Sequence, residues 1–521
     1  MLSTRRKAYA KRSRTGCRTC RARHVKCDES PGACQNCIST GRTCGGYEVH
    51  RLPRGRASKK IPIEYSILPR IAHGLCWVVT SDESRCLSFF QHRSIPGLVG
   101  FYDSPLWQHL VLQMSYSEPA VYHAVVALGA INHAQEKTGI PRPGQPRQNI
   151  WYQFALEQSA RSITLLNKRR MSQDPKLQEV ILVCCLLYIT CELLRGHYDN
   201  ACAHIFGGLQ ILKELNIRRR ISGVCVSPVE QCVVETFLHL QMQSAFFGTG
   251  APLTVDRDLV YEQSYEEYLL IFRSLENSRL ASNPLLHTAF PFVSYCMRRS
   301  DADIMAEYGT LQQTQLQLLS YLTRFLRLLK LLSDESYRSL NDKEQLEVDM
   351  TNLLCVTAVH ALKTCLCSKS SPLPQDLVLG SRTLLSLAEA ATSKFQARPT
   401  IMLDSTIVPA LFFAAFRCPD YGVRWRAIDL LRSWEHSEGF LNAAVVADVL
   451  EQNLRIELNH LRETKVSTCR LLPPRLSFVT KRHGQSFARM SYMVGETEIT
   501  RWLNLGTTSF LYASLGTVQS S

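Results

Sequence analysis

Long apolar runs are scarce in this chain of 521 residues. The longest runs from Val180 to Ile189 and covers about half of the roughly 20 residues that a membrane-spanning helix needs. The first residues are basic and lack the apolar stretch of a secretory signal, so we expect neither a leader nor a membrane anchor. The motifs HExxH, GxSxG, GxGxxG and the phosphate-binding P-loop are also absent from the sequence. The sequence therefore predicts a protein that is not an enzyme and does not bind membranes.

Strand-like alternation is scarce before residues 475–503, where the segment around Phe487 is compatible with either a strand or a loop. Elsewhere apolar residues recur at helical spacing. After Ser117-Glu118-Pro119, which is typical of a helix start, one such stripe comprises Val121, Ala124, Val125, Leu128 and Ile131. No internal repeat is evident. The fold class that we predict is mainly α.

Net charge is concentrated at one end of the chain. The chain has 60 Lys and Arg against 45 Asp and Glu, which gives a net charge of +15. Residues 1–60 hold sixteen of the cations and only three acidic residues, so they carry +13, and the remaining residues are nearly neutral. Such an asymmetry indicates a nucleic-acid-binding module at this end.

Six of the 20 cysteines repeat one spacing twice. Cys17-x2-Cys20-x6-Cys27 is followed by Cys34-x2-Cys37-x6-Cys44. A two-residue gap lets two thiolates bind one metal ion from a tight turn, and a six-residue gap leaves room for a short helix before the third ligand. Six sulfurs cannot give two zinc ions four ligands each unless two sulfurs are shared. We therefore predict a structural binuclear cluster with two Zn²⁺ and one bridging cysteine from each half.

The segment CRTCRARHVKCDESPGACQNCISTGRTC resembles the binuclear zinc-cluster DNA-binding domain of fungal transcription factors. The resemblance implies that Cys17 and Cys34 bridge the two ions. It implies that the first short helix enters the major groove and reads a CGG triplet, with Arg23 and His24 at the base edges. The residues that it places on DNA phosphates are Arg18, Arg21 and Lys26.

Two positions depart from the family pattern. His24 replaces the usual base-reading Lys, and a neutral imidazole donates one hydrogen bond to guanine without the same charge. The loop proline of the family usually precedes the fourth cysteine by two residues, where this chain has Gly32, and Pro31 lies one residue earlier. CGG specificity and a cis-proline turn are therefore open at this point.

A second resemblance covers most of the remaining chain. The segment GFYDSPLWQHLVLQMSYSEPAVYHAVVALGAINHA is similar to the start of the fungal-specific transcription-factor domain, and shorter segments as far as residue 465 are similar to later parts of it. This resemblance implies a large all-helical regulatory domain. The predicted organisation is a basic arm at 1–16, the zinc cluster at 17–44, a basic Pro/Gly-containing linker at 45–80, the helical regulatory domain at 81–465 and a C-terminal segment of uncertain structure at 466–521.

The linker contains a basic cluster that admits three interpretations: a nuclear-import signal, extra grip on DNA, or a solvated linker. Its cations are Arg51, Arg54, Arg56, Lys59 and Lys60. No apolar heptad follows the linker, so a coiled-coil dimer is not expected there. The segment Leu311–Leu332 is close to a heptad and could be either a homodimer seam or, as we favour, a core helix.

Weaker candidate sites lie elsewhere. Cys365-x-Cys367 has a spacing compatible with a metal or redox site, and His197 and His204 share a helical face if one helix spans both. For these we favour buried thiols and packing or capping histidines, respectively.

Together these patterns predict a nuclear, sequence-specific regulator of RNA polymerase II transcription, acting on a metabolic or biosynthetic gene set. The expected partners are double-stranded DNA and transcription machinery or co-regulators. The alternatives are a zinc-dependent enzyme or zinc-handling protein, and an accessory factor without its own DNA specificity. Catalytic zinc needs an open coordination position, which an all-thiolate cluster does not offer.

Overall fold

The protein is represented by a computed structural model. The residues that it describes are 15–47, 52, 77–139, 149–172, 174, 176–222, 228–245, 264–368, 373–395, 398–464, 475–480, 486–494 and 497–504. The basic arm from Arg5 to Arg14 lies outside the described residues, as does the linker cluster of Arg51, Arg54, Arg56, Lys59 and Lys60. The chain divides into two compact units, the first formed by residues 1–96 and 105–196 and the second by residues 97–104 and 197–521.

Up to residue 195, the regular elements among the described residues are helices. The α-helices are α1 (Arg18–Ala22), α2 (Gln35–Ile38), α3 (Ser81–Phe89), α4 (Ile95–Leu98), α5 (Val111–Ser117), α6 (Pro119–Thr138), α7 (Ile150–Lys168) and α8 (Leu177–Arg195). Two π-helical turns, Phe90–Ser94 and Leu106–Leu110, precede α4 and α5.

Helix α6 is the centre of the first unit and packs against α3, α5, α7 and α8. Pro119 occupies its first turn, where the missing N–H costs no helical hydrogen bond. The predicted stripe from Val121 to Ile131 is buried, which confirms that prediction, and most of the opposite face is buried too. Gly129 lets α3 approach closely, because an added Cβ would lie 2.3 Å from the carbonyl oxygen of Cys86.

Helix α8 contains the apolar run noted in the sequence. Among the described residues it is the one helix that is long and apolar enough to cross a membrane, and 72% of its most apolar window is buried inside the fold. Burial against α6 and α7 explains its composition as that of a core helix.

The helices of the second unit continue the chain in order. They are α9 (Tyr198–Ser222), α10 (Pro228–Ser244), α11 (Tyr265–Ile271), α12 (Ser278–Arg298), α13 (Asp301–Ala306), α14 (Tyr308–Ser336), α15 (Asp342–Cys365), α16 (Gln375–Ser393), α17 (Ile407–Ala415), α18 (Tyr421–Ser433) and α19 (Ala443–Thr464). Helix α15 contacts α12, α14, α16 and α17, so it lies at the centre of this unit.

Helix α14 carries the near-heptad of leucines. Leu311, Leu318, Leu322, Phe325 and Leu329 are all at most 5% exposed and belong to the main core of the unit. The core-helix interpretation is therefore confirmed. The homodimer seam through this stripe is wrong as an interpretation of these side chains, because their own unit already covers them.

Strands are short or lie near the end of the chain. They are β1 (Ile401–Met402), β2 (Ser437–Glu438), β3 (Leu441–Asn442), β4 (Arg475–Thr480), β5 (Ser486–Val494) and β6 (Thr497–Asn504). β2 pairs with β1 in parallel and with β3 antiparallel. β4, β5 and β6 form an antiparallel meander, in which Phe487 pairs with Val479 on one side and Asn504 on the other. The ambiguous segment around Phe487 is thus a strand.

Candidate metal centre and DNA-binding surface

The two cysteine repeats adopt the same local structure. Helix α1 begins directly after Cys17, and α2 begins directly after Cys34. In the first half the backbone N–H of Cys17 donates to Sγ of Cys27 at 3.3 Å, and in the second half the N–H of Cys34 donates to Sγ of Cys44 at 3.4 Å. Each six-residue gap therefore returns the third sulfur to the start of its own repeat.

The six sulfurs form two overlapping groups of four. One group is Cys17, Cys20, Cys27 and Cys34, and the other is Cys17, Cys34, Cys37 and Cys44. Within each group the sulfur atoms lie within 4.8 Å of one another. Both groups contain Cys17 and Cys34, whose sulfurs are 3.5 Å apart. This overlap is what two tetrahedral ions with two shared ligands require.

The hydrophobic cluster at the centre of this module consists of cysteines. Cys17, Cys20, Cys34 and Cys37 are fully buried, and Tyr47 packs against the cysteine cluster. Thiolates at this density repel one another unless cations compensate their charge. The donor set therefore fits two structural Zn²⁺, which this module binds through its six cysteines. Each group of four sulfurs supplies all four ligands of a tetrahedral ion, so no coordination position is left for water or substrate.

Hydrogen bonds from the backbone favour the thiolate form of Cys27 and Cys44, the last cysteine of each repeat. Burial by itself raises the pKa of Cys27, but the N–H groups of Cys17 and Glu29 outweigh it and lower the pKa below its ordinary value. The pKa of Cys44 is lowered in the same way, by the N–H groups of Cys34 and Gly46. Such N–H donors orient the ligands and offset part of their charge.

Asp28 joins the two halves. Its carboxylate accepts hydrogen bonds from the N–H groups of Gln35 at 2.9 Å and Asn36 at 3.0 Å, in the first turn of α2. The hydrogen bond from the hydroxyl of Ser30, followed by these two backbone bonds, lowers the pKa of Asp28, since all three favour the ionised form. The amide of Asn36 donates in turn to the carbonyl of Lys26 at 2.6 Å. The sequence analysis did not identify this link between the halves.

The side chains predicted to contact DNA do not share one environment. His24 and Lys26 are exposed just beyond α1, and His24 has a left-handed backbone with φ of 58°. Arg23 is half-buried and donates to Oγ1 of Thr40 at 3.3 Å. Arg21 is also half-buried. The tip beyond α1 is therefore open to a ligand.

Arg18 differs from the other predicted phosphate contacts. Its guanidinium points away from solvent and forms an ion pair with Glu83 of α3. The sequence offered no signal for this pairing, because the two residues are 65 positions apart. The motif Thr80-x-x-Glu83 does indicate a helix cap, which the structure forms, but it does not indicate the Arg18 contact.

The weaker candidates show structural contacts. Sγ of Cys365 is buried and donates to the carbonyl of Leu362 at 3.1 Å. Within the described ranges, the sets of His, Cys, Asp and Glu able to hold a metal ion are the two groups of the N-terminal module, and neither Cys365 nor His197 nor His204 belongs to such a set.

Comparison with known families gives two matches. The fungal Zn(2)-Cys(6) binuclear cluster domain matches residues 15–53, and the fungal specific transcription factor domain matches residues 85–452. No solved structure matches the chain.

Similar proteins are named as transcription regulators. The aspercryptin biosynthesis cluster-specific transcription regulator atnN of Emericella nidulans is 28% identical over 48% of this chain and 42% of its own length. Transcription regulator lscL of Purpureocillium lilacinum is 29% identical over 38% of this chain and 48% of its own length. Transcriptional regulatory protein moc3 of Schizosaccharomyces pombe is 51% identical over 8% of each chain. The chain thus spans less than half the length of these relatives. The fungal specific transcription factor domain covers most of the chain, and the binuclear cluster domain covers the thiol module. The protein therefore belongs to the fungal zinc-cluster transcription factors and not to an enzyme family.

Proposed function

We propose that this protein is a nuclear regulator of RNA polymerase II transcription that reads a CGG-like triplet in double-stranded DNA. Cys17 and Cys34 bridge the two zinc ions, and His24 with Arg23 reads base edges. Lys26 and Arg21 bind phosphates. The gene set is a metabolic or biosynthetic one, in keeping with the Emericella nidulans relative, which is named as a regulator of a biosynthesis cluster.

One observation carries this proposal: the exposed tip at His24 and Lys26 directly follows a helix that begins at the buried thiol cluster. The tip follows α1 directly, and α1 begins at a predicted bridging cysteine. The metal therefore fixes where these side chains project. Phosphate contacts from the surrounding cations supply affinity, and base edges supply the sequence preference.

The test separates base reading from phosphate binding. The full-length zinc-loaded chain is presented with duplexes in which one triplet is randomised, and His24→Ala, Lys26→Ala and Arg42→Ala are compared with the unmodified protein. Arg42 is a matched control because it is an exposed cation of the same module outside the predicted contact set.

We expect His24→Ala to relax the preference by about 1–3 kcal/mol at one position of the triplet. Lys26→Ala should weaken binding to all sequences alike and reduce the salt slope by about one unit. An unchanged preference for His24→Ala would transfer base reading to Arg23. If the unmodified chain selects no triplet at all, the protein acts as an accessory factor and the proposal is wrong.

A further inference from the structure

A cation of the zinc module is bound inside the helical part of the same unit. Nη2 of Arg18 lies 2.7 Å from Oε1 and 2.8 Å from Oε2 of Glu83, so one nitrogen contacts both carboxylate oxygens. The side chain of Glu83 is fully buried and that of Arg18 is only 13% exposed. This is not the solvated surface pair that contributes little to a fold.

The ionised form of buried Glu83 depends on the positive charge of Arg18. Burial by itself raises the pKa of Glu83, but the positive charge of Arg18, with smaller contributions from His123 and from the N–H of Thr80, keeps the pKa below its ordinary value. A carboxylate with no solvent contact is strongly destabilising without a partner. Oε2 of Glu83 also accepts from the N–H of Thr80 at 2.8 Å, a single backbone donor that does not neutralise the charge.

His123 does not replace Arg18 as the counterion. Its Nδ1 lies 3.9 Å from Oε1 of Glu83 but 2.7 Å from Oε1 of Gln158, which is its closer partner. Burial lowers the pKa of His123 to about 4, so the ring is neutral near pH 7. The main positive charge that offsets Glu83 is therefore that of Arg18, in the zinc module.

The contact leaves the tip of the module free. Arg18 is in the first turn of α1, whereas His24 and Lys26 follow the end of that helix and are exposed. The N–H of Arg18 also donates to the carbonyl of Gly46 at 2.8 Å, which ties the exit of the module to the same helix. The buried pair and the exposed tip are thus at different ends of the segment 18–26.

We propose that Arg18 is a docking residue: it anchors the zinc module to the buried carboxylate of Glu83 on α3, beside His123 of α6, and it stays there while the tip at His24 and Lys26 binds DNA. The DNA-reading surface is then carried by the helical unit and does not move independently of it. Arg18 is accordingly not a phosphate contact. The DNA-bound part of this inference rests on the proposed function, and the docking part does not.

Docking is tested without DNA by amide hydrogen exchange of the zinc-loaded full-length chain. Arg18→Gln should accelerate exchange by roughly tenfold or more in the first turn of α3 and around His123, since a buried charge loses its partner. Arg42→Gln, which changes an exposed arginine of the same module, should leave both segments unchanged. Adding Glu83→Gln to Arg18→Gln should partly restore protection, because no charge is then left unpaired. Zinc content of two ions per chain in every variant shows that the module itself is folded.

A second experiment measures how the affinity for a duplex containing the CGG triplet depends on salt concentration. Arg18→Gln should keep the slope of the unmodified chain, whereas Lys26→Gln should reduce it by about one unit. Unchanged exchange in Arg18→Gln would overturn docking even if the chain binds no DNA. Increased exchange together with a slope reduced by one unit would overturn continued docking, since Arg18 then leaves Glu83 for a phosphate. Increased exchange in a chain that selects no DNA would uphold docking and reject the proposed function.

Discussion

At the scale of single residues, the six cysteines of the thiol cluster are not equivalent in the effect that their removal should have. Cys17 and Cys34 belong to both groups of four sulfurs, whereas Cys20, Cys27, Cys37 and Cys44 belong to one group each. Removing a shared sulfur therefore affects both zinc ions, and removing an unshared one affects a single ion directly.

We expect Cys17→Ala and Cys34→Ala to lose both zinc ions and DNA binding, since each leaves two sites with three ligands. Cys20→Ala should retain more zinc than either. Cys365→Ala is the control, because this thiol lies in the second unit and donates to the carbonyl of Leu362. Elemental analysis of the purified full-length variants measures the outcome. Two zinc ions in Cys34→Ala would show that this sulfur is not shared.

The sequence was sufficient to predict the metal ligands because each half of the site is local. Three sulfurs at spacings of two and six residues determine the turn and the short helix between them. The environment of Arg18 was not predictable in this way. Resemblance placed it on a phosphate, and only the folded chain shows Glu83 beside it, because the pairing depends on how α3 packs near α1.

At the scale of elements, helix α9 contains two neighbouring glycines, of which one has space for a larger side chain and the other does not. Gly207 is exposed, and an added Cβ there would meet nothing within 4 Å. Gly208 is buried against α10, where an added Cβ would lie 2.2 Å from Cε1 of Phe237. Phe237 is fully buried, so its ring has no free space into which to move.

Gly207→Ala should stabilise the chain by about 0.5–1 kcal/mol, because alanine loses less backbone entropy in a helix than glycine. Gly208→Ala should instead destabilise it by about 1–3 kcal/mol, through overpacking against the ring. Urea or thermal unfolding followed by far-UV circular dichroism compares the two. Equal effects of the two substitutions would contradict the packing of α9 on α10.

Helical periodicity predicted the type of most elements but not how fully they are buried. Helix α6 shows why: its predicted stripe is buried, yet its other face is covered as well by four neighbouring helices. The strands β4 to β6 were ambiguous in sequence because a short apolar run is compatible with a strand or a loop. Their antiparallel pairing, rather than side-chain alternation, defines them.

At the scale of the whole molecule, the source of stability differs between the zinc module and the helical units. The hydrophobic cluster of the module consists of cysteines, with Tyr47 packed against them. The second unit instead has a large apolar core that includes Phe325, Leu353 and Leu411, and it contains none of the metal-ligand groups found in the described chain. A module of about 30 residues cannot bury enough apolar surface to fold unless bound metal ions cross-link it.

Removal of zinc should therefore unfold residues 15–47 and leave most of the helical signal intact. Titration of the chain with a strong chelator should abolish DNA binding, while the helical signal in far-UV circular dichroism decreases only slightly. The first turn of α3 should lose exchange protection in the same titration, because unfolding of α1 withdraws Arg18 from Glu83. Readdition of zinc should restore DNA binding and protection together. A cooperative loss of the whole helical signal on chelation would show instead that the zinc module is required for the fold of the helical units.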